Sequence, residues 1–183
     1  MESGKVKKIL KNVSDDDLKN LPPCTNQLKG AAVNVYALLF GPLFHLGYTK
    51  AVDLLRIRSV YLTVKYGSST ASALAFAYYG SSLISQCDFE GGYRFGKLAM
   101  QLQQKASSKE LTARTTLVSN FLILHWKDPL SQTLERLMQG HDQGMKIGDI
   151  EMTHTCAGLY QTHYYYCGLS LNEGEKDIRK FIA

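Results

Sequence analysis

The chain has 183 residues, 45% hydrophobic and 20% charged, with a formal charge of +5. That is enough for one domain with a proper core, and too apolar for a disordered chain. The Lys and Arg residues are spread along the chain with no long basic block, which argues against a nucleic-acid-binding surface.

In chain order, the densest basic run, Lys5-Val6-Lys7-Lys8-Ile9-Leu10-Lys11, reads as the solvated face of a short amphipathic helix. Ser14-Asp15-Asp16-Asp17 reads as a helix N-cap with acidic residues in the first turn, where the dipole favours negative charge. Leu21-Pro22-Pro23 stops that helix. Thr25 or Asn26 can cap the next, which runs through Ala31, Val35, Leu38 and Leu39 toward an expected break at Gly41-Pro42. Another helix is expected from about Thr49 to Tyr66, with Gly67 in its C-terminal turn. Ser69 or Thr70 opens a helix carrying Ala at 71, 73, 75 and 77, and Glu90 to Lys105 continues as its partner. Ser107 or Ser108 starts a helix expected to reach His125. Pro129 suits a first helical position, making Asp128 the expected N-cap. Gly148 ends that helix, Asp149 caps one extending to about Cys167, and Asn172 starts a last one through Lys180.

Start and stop signals bracket nearly every element, and no alternating strand pattern competes with them. The expectation is an all-α fold of about eight or nine helices. A unit of two helices recurs at roughly 40 residues: Ser72 to Lys105, Ala113 to Gly148 and Met152 to Ala183. Each unit has an aromatic-rich apolar stretch, a polar link and a more charged amphipathic stretch. Such periods mark solenoids of stacked helix pairs, which present surfaces for partners. Residues 1–26 read as an approach segment with a short helix, and 27–183 as the repeat domain, cut short at its C-terminal end.

Two stretches lack charge, Gly30 to Thr49 and Gly67 to Cys87. The first carries Asn34, Pro42 and His45 and the second six serines, so both read as buried helices rather than membrane spans. Cysteines 24, 87, 156 and 167 show no close pairing and no CxxC. With no signal peptide, they suit a reducing cytoplasm, as small buried apolar groups.

Motifs for chemistry are weak. Gly91-Gly92-Tyr93-Arg94-Phe95-Gly96-Lys97-Leu98 matches a phosphate loop, but Leu98 stands where a hydroxyl should bind magnesium and no strand precedes it. Its glycines read as helix-packing points. The histidines at 45, 125, 141, 154 and 163 lack the close pair that a zinc site needs. Gly67-Ser68-Ser69 and Gly80-Ser81-Ser82 lack a nucleophile elbow. No catalytic, cofactor or metal residue is expected. Tyr164-Tyr165-Tyr166 spans some 200° of a helix surface, so the three rings cannot share one core stripe. With Phe181 they form the candidate interaction surface.

Six runs carry a family resemblance: Leu21-Pro22-Pro23-Cys24-Thr25, Lys65-Tyr66-Gly67-Ser68-Ser69, Gly92-Tyr93-Arg94-Phe95-Gly96-Lys97-Leu98-Ala99, Lys109-Glu110-Leu111-Thr112-Ala113-Arg114, His125-Trp126-Lys127-Asp128-Pro129-Leu130 and Gly148-Asp149-Ile150-Glu151. Together they resemble the helical region of very large hybrid signalling kinases. In those proteins a serine/threonine kinase domain and an AAA-type ATPase module precede a tetratricopeptide-like region, followed by a GAF domain and often a histidine kinase. The resemblance spans about Leu10 to Leu171. It implies a right-handed, tetratricopeptide-like α-solenoid of antiparallel helix pairs, with Tyr66, Gly67, Gly92, Tyr93, Gly96, His125, Trp126, Lys127 and Asp149 as structural signature positions.

The kinase, ATPase and phosphoacceptor motifs of that family have no counterpart here, and the neighbours of His125 do not form a phosphoacceptor box. The expected function is therefore a non-catalytic scaffold or regulatory module in signal transduction. Its partners would be proteins, or kinase and ATPase domains in cis, with no nucleic acid, membrane insertion or cofactor. The alternative is a fragment of a multidomain kinase/ATPase whose ATP binding and kinase activity belong to the full-length protein.

Overall fold

Capping residues and glycines punctuate the chain into helices throughout. A computed structural model describes residues 2–11, 13–106 and 108–182. Among them are ten α-helices: α1 (Glu2–Lys11), α2 (Asp15–Lys19), α3 (Gln27–His45), α4 (Thr49–Tyr66), α5 (Ser72–Ser85), α6 (Phe89–Lys105), α7 (Thr112–Leu122), α8 (Ser131–Ile147), α9 (Ile150–Tyr166) and α10 (Leu171–Ile182). The count is slightly above the eight or nine expected. No strand occurs among the described residues; an isolated bridge joins Pro23 and Ser68.

Local chemistry explains most boundaries. Ser14 and Asp17 form a reciprocal capping box at α2. Asn26, Asp88 and Asp149 cap α3, α6 and α9 through their side chains. Gly148 closes α8 in the left-handed region at φ 75°.

Helix α5 is the centre of the molecule. Every residue from Ser72 to Ile84 is buried, which accounts for its lack of charge. Its alanines let α4, α6 and α7 pack close around it. The main core gathers Leu74, Phe76, Phe95, Leu98 and Val60 here, with Val6 and Leu10 of α1 added from the side of α4. A second cluster, around Leu137, Cys156 and Tyr160, joins α7, α8 and α9. Consecutive helices pack on one another from α3 to α10, and α3, α5 and α7 each also touch the next odd-numbered helix. No helix is long and apolar enough to cross a membrane, among the described residues.

Several expected boundaries move. Helix α3 does not break at Gly41-Pro42 but continues to His45. The proline removes only one donor, and the carbonyl left without it belongs to Leu38, an exposed residue. Helix α7 stops at Leu122 instead of His125, and a 3-10 turn covers Leu124–Trp126. Helix α8 starts at Ser131 rather than Pro129, with no side-chain cap. The Asp128 carboxylate, expected to cap it, is engaged elsewhere. Helix α7 likewise starts at Thr112 with no side-chain cap, so Ser108 does not supply one; Ser107 lies outside the described residues. Of the four free cysteines, only Cys156 is buried; Cys87 is exposed, and Cys24 and Cys167 are half-buried.

Candidate functional site

The six runs that carry the resemblance meet in pairs. Leu21-Pro22-Pro23-Cys24 lies along Ser68: the Ser68 amide donates to the Pro22 carbonyl and the Cys24 amide to the Ser68 carbonyl, both at 2.8 Å. The Ser68 hydroxyl reaches the Leu21 carbonyl at 3.3 Å. Gly67 makes this contact possible, since its φ is +103° and a Cβ there would run into the Pro22 carbonyl. Tyr66 stands beside it, with Lys29 and Lys65 over its ring at 5.8 and 5.3 Å.

The second pair joins α6 to the turn after α7. Gly92 lies where α5 crosses α6: a Cβ there would come 3.0 Å from the Gly80 carbonyl and closer still to Ile84. Gly96 does the same against Ile123, so both glycines act as points of close approach. One turn of helix then presents Tyr93 and Lys97 to the 125–128 turn. The Tyr93 hydroxyl donates to Asp128 Oδ1 at 2.6 Å, and Arg136 Nη1 donates to Asp128 Oδ2 at 2.9 Å, with Lys97 Nζ at 3.5 Å. The Tyr93 ring lies between the Lys97 and Lys127 ammonium groups, at 5.4 and 5.0 Å. Lys127 bonds both oxygens of Glu90 at 2.7 Å, and Trp126, 55% exposed, leans on Phe89.

The Asp128 side chain is only 9% exposed. Burial by itself would raise its carboxyl. The bonds from Tyr93 and Arg136 and the charges of Lys97 and Arg136 outweigh that and hold it below the usual carboxylate range.

The third pair is looser. Arg114, from the Lys109–Arg114 run, reaches Glu151 at 3.5 Å and Asp149 at 4.0 Å.

Sequence spacing gave no sign that His125 and His163 meet, 38 positions apart. Their ring centroids are 6.4 Å apart. The Thr133 hydroxyl donates to the Leu130 carbonyl at 2.6 Å, so His163 Nδ1, also 2.6 Å from that oxygen, carries its proton and donates to it. His125 Nδ1 faces the Asn120 carbonyl at 3.2 Å and must donate as well. Burial lowers both imidazoles below their ordinary value, and the neighbouring His125 adds to the effect on His163. Two rings held neutral by burial suit packing. No group of three or more His, Cys, Asp or Glu residues is placed to hold a metal, among the described residues.

The expected Tyr164–Tyr166 and Phe181 surface divides. The Tyr164 hydroxyl donates to the Ser170 carbonyl at 3.1 Å, and its ring packs against Gly174. Phe181 meets Tyr160 edge-on at 5.6 Å and His141 at 4.8 Å, covering the second core cluster. The Tyr160 hydroxyl donates to Asp177 at 2.8 Å; burial and that carboxylate push it up to about 12. Tyr165 and Tyr166 are left pointing outward, 66% and 72% exposed, with Leu171 beside them.

The chain is similar to hybrid signal transduction histidine kinase G of Dictyostelium discoideum, 30% identical over 135 residues. The match takes in 72% of this chain and 4% of the length of that protein. No family model matches the chain, and no solved structure matches it.

Proposed function

We propose that this chain is a non-catalytic helical-repeat module mediating protein–protein or interdomain contacts in signal transduction, with its helix pairs stacked as a right-handed, tetratricopeptide-like solenoid. The observation that carries this reading is the match to 4% of a signalling histidine kinase, the footprint of a small part of that protein. Two features of the fold support it. The odd-numbered helices α3, α5, α7 and α9 follow one another in contact, as stacked pairs require. The polar groups of the signature runs are also spent on partners within the fold: Tyr93 and Lys97 on Asp128, Lys127 on Glu90, Arg114 on Glu151. Side chains committed to such braces hold helices in register and are poorly free to attack a substrate. The free cysteines suit the reducing cytoplasm.

The purified chain, given magnesium and ATP, should release no phosphate and label no residue above a heat-denatured control. Cross-linking in cells should join its surface lysines to defined protein partners or kinase domains. Measured turnover, or a chain that cross-links to nothing, would overturn the proposal. The small fraction of the relative that is matched also suits a region of a longer kinase-containing chain. Transcripts joining kinase coding sequence to this region in one reading frame would favour that second reading.

A further inference from the structure

The charge of this chain is not spread evenly once it folds. Helices α1, α3 and α4 together carry nine Lys and Arg residues against two acidic ones, Glu2 and Asp53. Their net +7 exceeds the +5 of the whole chain, so all other residues together are slightly acidic. Helix α1 is tied to α4 by its buried Val6 and Leu10, which turns Lys5 toward the same groove as Lys29 of α3 and Arg58 of α4. These three cations rim a cavity of about 300 Å³. Its walls are apolar and aromatic, including Leu28, Tyr36 and Tyr61, and none of the described residues lining it is acidic. Leu28, at the mouth, is 82% exposed. Lys65 adds a fourth cation, bonded to the Tyr61 hydroxyl at 3.2 Å.

We infer that this groove between α1, α3 and α4 binds an acidic polypeptide segment that inserts one large apolar side chain between flanking carboxylates. The inference rests on the proposed reading of the chain as a protein-interaction module and names the chemistry of the partner. A cavity of this size stands at the small end of ligand sites, and suits one anchoring side chain better than a whole cofactor. The apolar floor rewards burial of that side chain, while the rim cations steer and hold negative charge beside it. A single-stranded nucleic acid would meet the cations as well, but its bases would find Leu28, Ile57 and Leu62 where polar base edges need partners.

The test is fluorescence anisotropy on the intact chain, using a labelled peptide with a Leu-Phe pair between runs of aspartate and glutamate. A lysine-flanked peptide and oligouridylate serve as comparisons. The acidic peptide should bind, and bind more weakly as salt rises, because the rim charges of Lys5 and Arg58 are solvent-exposed. Replacing Lys5 and Lys29 together by glutamate should weaken binding about tenfold or more. Ala32→Phe, which fills the groove with no change of charge, should weaken it too. Lys176→Glu on distant α10 should leave it unchanged, and circular dichroism should confirm that each variant keeps its helices. The inference is overturned if the acidic peptide does not bind, if the lysine-flanked peptide or oligouridylate binds as tightly, or if both groove variants bind like the parent. Cross-links to partners elsewhere on the molecule, with no peptide bound here, would sink this site and leave the scaffold reading standing. ATP turnover would sink the scaffold reading and leave peptide binding to be judged by its own assay.

Discussion

Asp128 shows how one side chain can hold two elements. Its oxygens accept from Tyr93 on α6 and Arg136 on α8, and Lys97 stands near. Asp128→Ala would leave the Tyr93 hydroxyl without its acceptor and take from Arg136 its carboxylate partner, leaving that guanidinium only the Asn120 and Gln132 oxygens. The substitution should therefore destabilise the fold by about 2 kcal/mol, read from the urea midpoint. Because the folded carboxyl titrates below its unfolded value of about 4, its contribution is fully present above that pH and disappears as pH falls through the folded value. The parent should therefore lose stability in that acid window, and the alanine variant should show a shallower loss. His125 and His163 act higher up the scale. Both titrate below their ordinary value, so between the folded values and about 6.5 the unfolded chain binds protons that the folded chain refuses. Stability should fall as pH drops below about 6.5, and NMR titration of the two imidazoles should give midpoints below it. Neither His125–His163 nor Tyr93–Asp128 was legible in the sequence, because each pair is brought together only when α6, α8 and α9 pack.

Helix termini were far more legible, since a cap acts over three or four residues. Asn26, Asp149, Gly67 and Gly148 behave as their local chemistry dictates. Asp149→Ala removes the bond from the Met152 amide and the weak Arg114 contact, and should cost about 1 kcal/mol in thermal or urea unfolding. Gly67→Ala should cost more, about 2 kcal/mol or above, because the left-handed backbone and the Pro22 carbonyl both resist a Cβ. Chemical denaturation of the two variants side by side would check the order. At α8 a tertiary partner overrides the local signal: Asp128 is taken up by Tyr93 and Arg136 instead of capping the helix, while at Pro42 helix α3 simply continues with one donor fewer.

Over the whole molecule, burial centres on α5 and thins toward the ends. Helix α10 rests on α9 through Phe181, Gly174 and the Tyr160–Asp177 bond. Deleting residues from 171 onward should uncover Tyr160 and Tyr164, raise binding of a hydrophobic dye and lower the melting temperature, while the helices from α3 to α8 stay formed in circular dichroism. A truncated chain as stable and as dye-free as the parent would show that α10 covers nothing that matters.

Periodicity and contacts a few residues long made the helical class legible in the sequence, together with the caps at Ser14, Asn26 and Asp149, most of the stops and the burial of Ser72–Ile84. The equally charge-free Gly30–Thr49 stretch, also expected to be buried, is buried only at Val33, Ala37 and Phe40. The six runs that carry the resemblance to signalling kinases are likewise a property of the sequence. Helix packing alone brings those runs together in pairs, turns Tyr164 and Phe181 inward while Tyr165 and Tyr166 face out, and gathers scattered lysines and arginines around one groove. Those outcomes depend on which helix faces which, and that is set by the packing of side chains far apart in the chain.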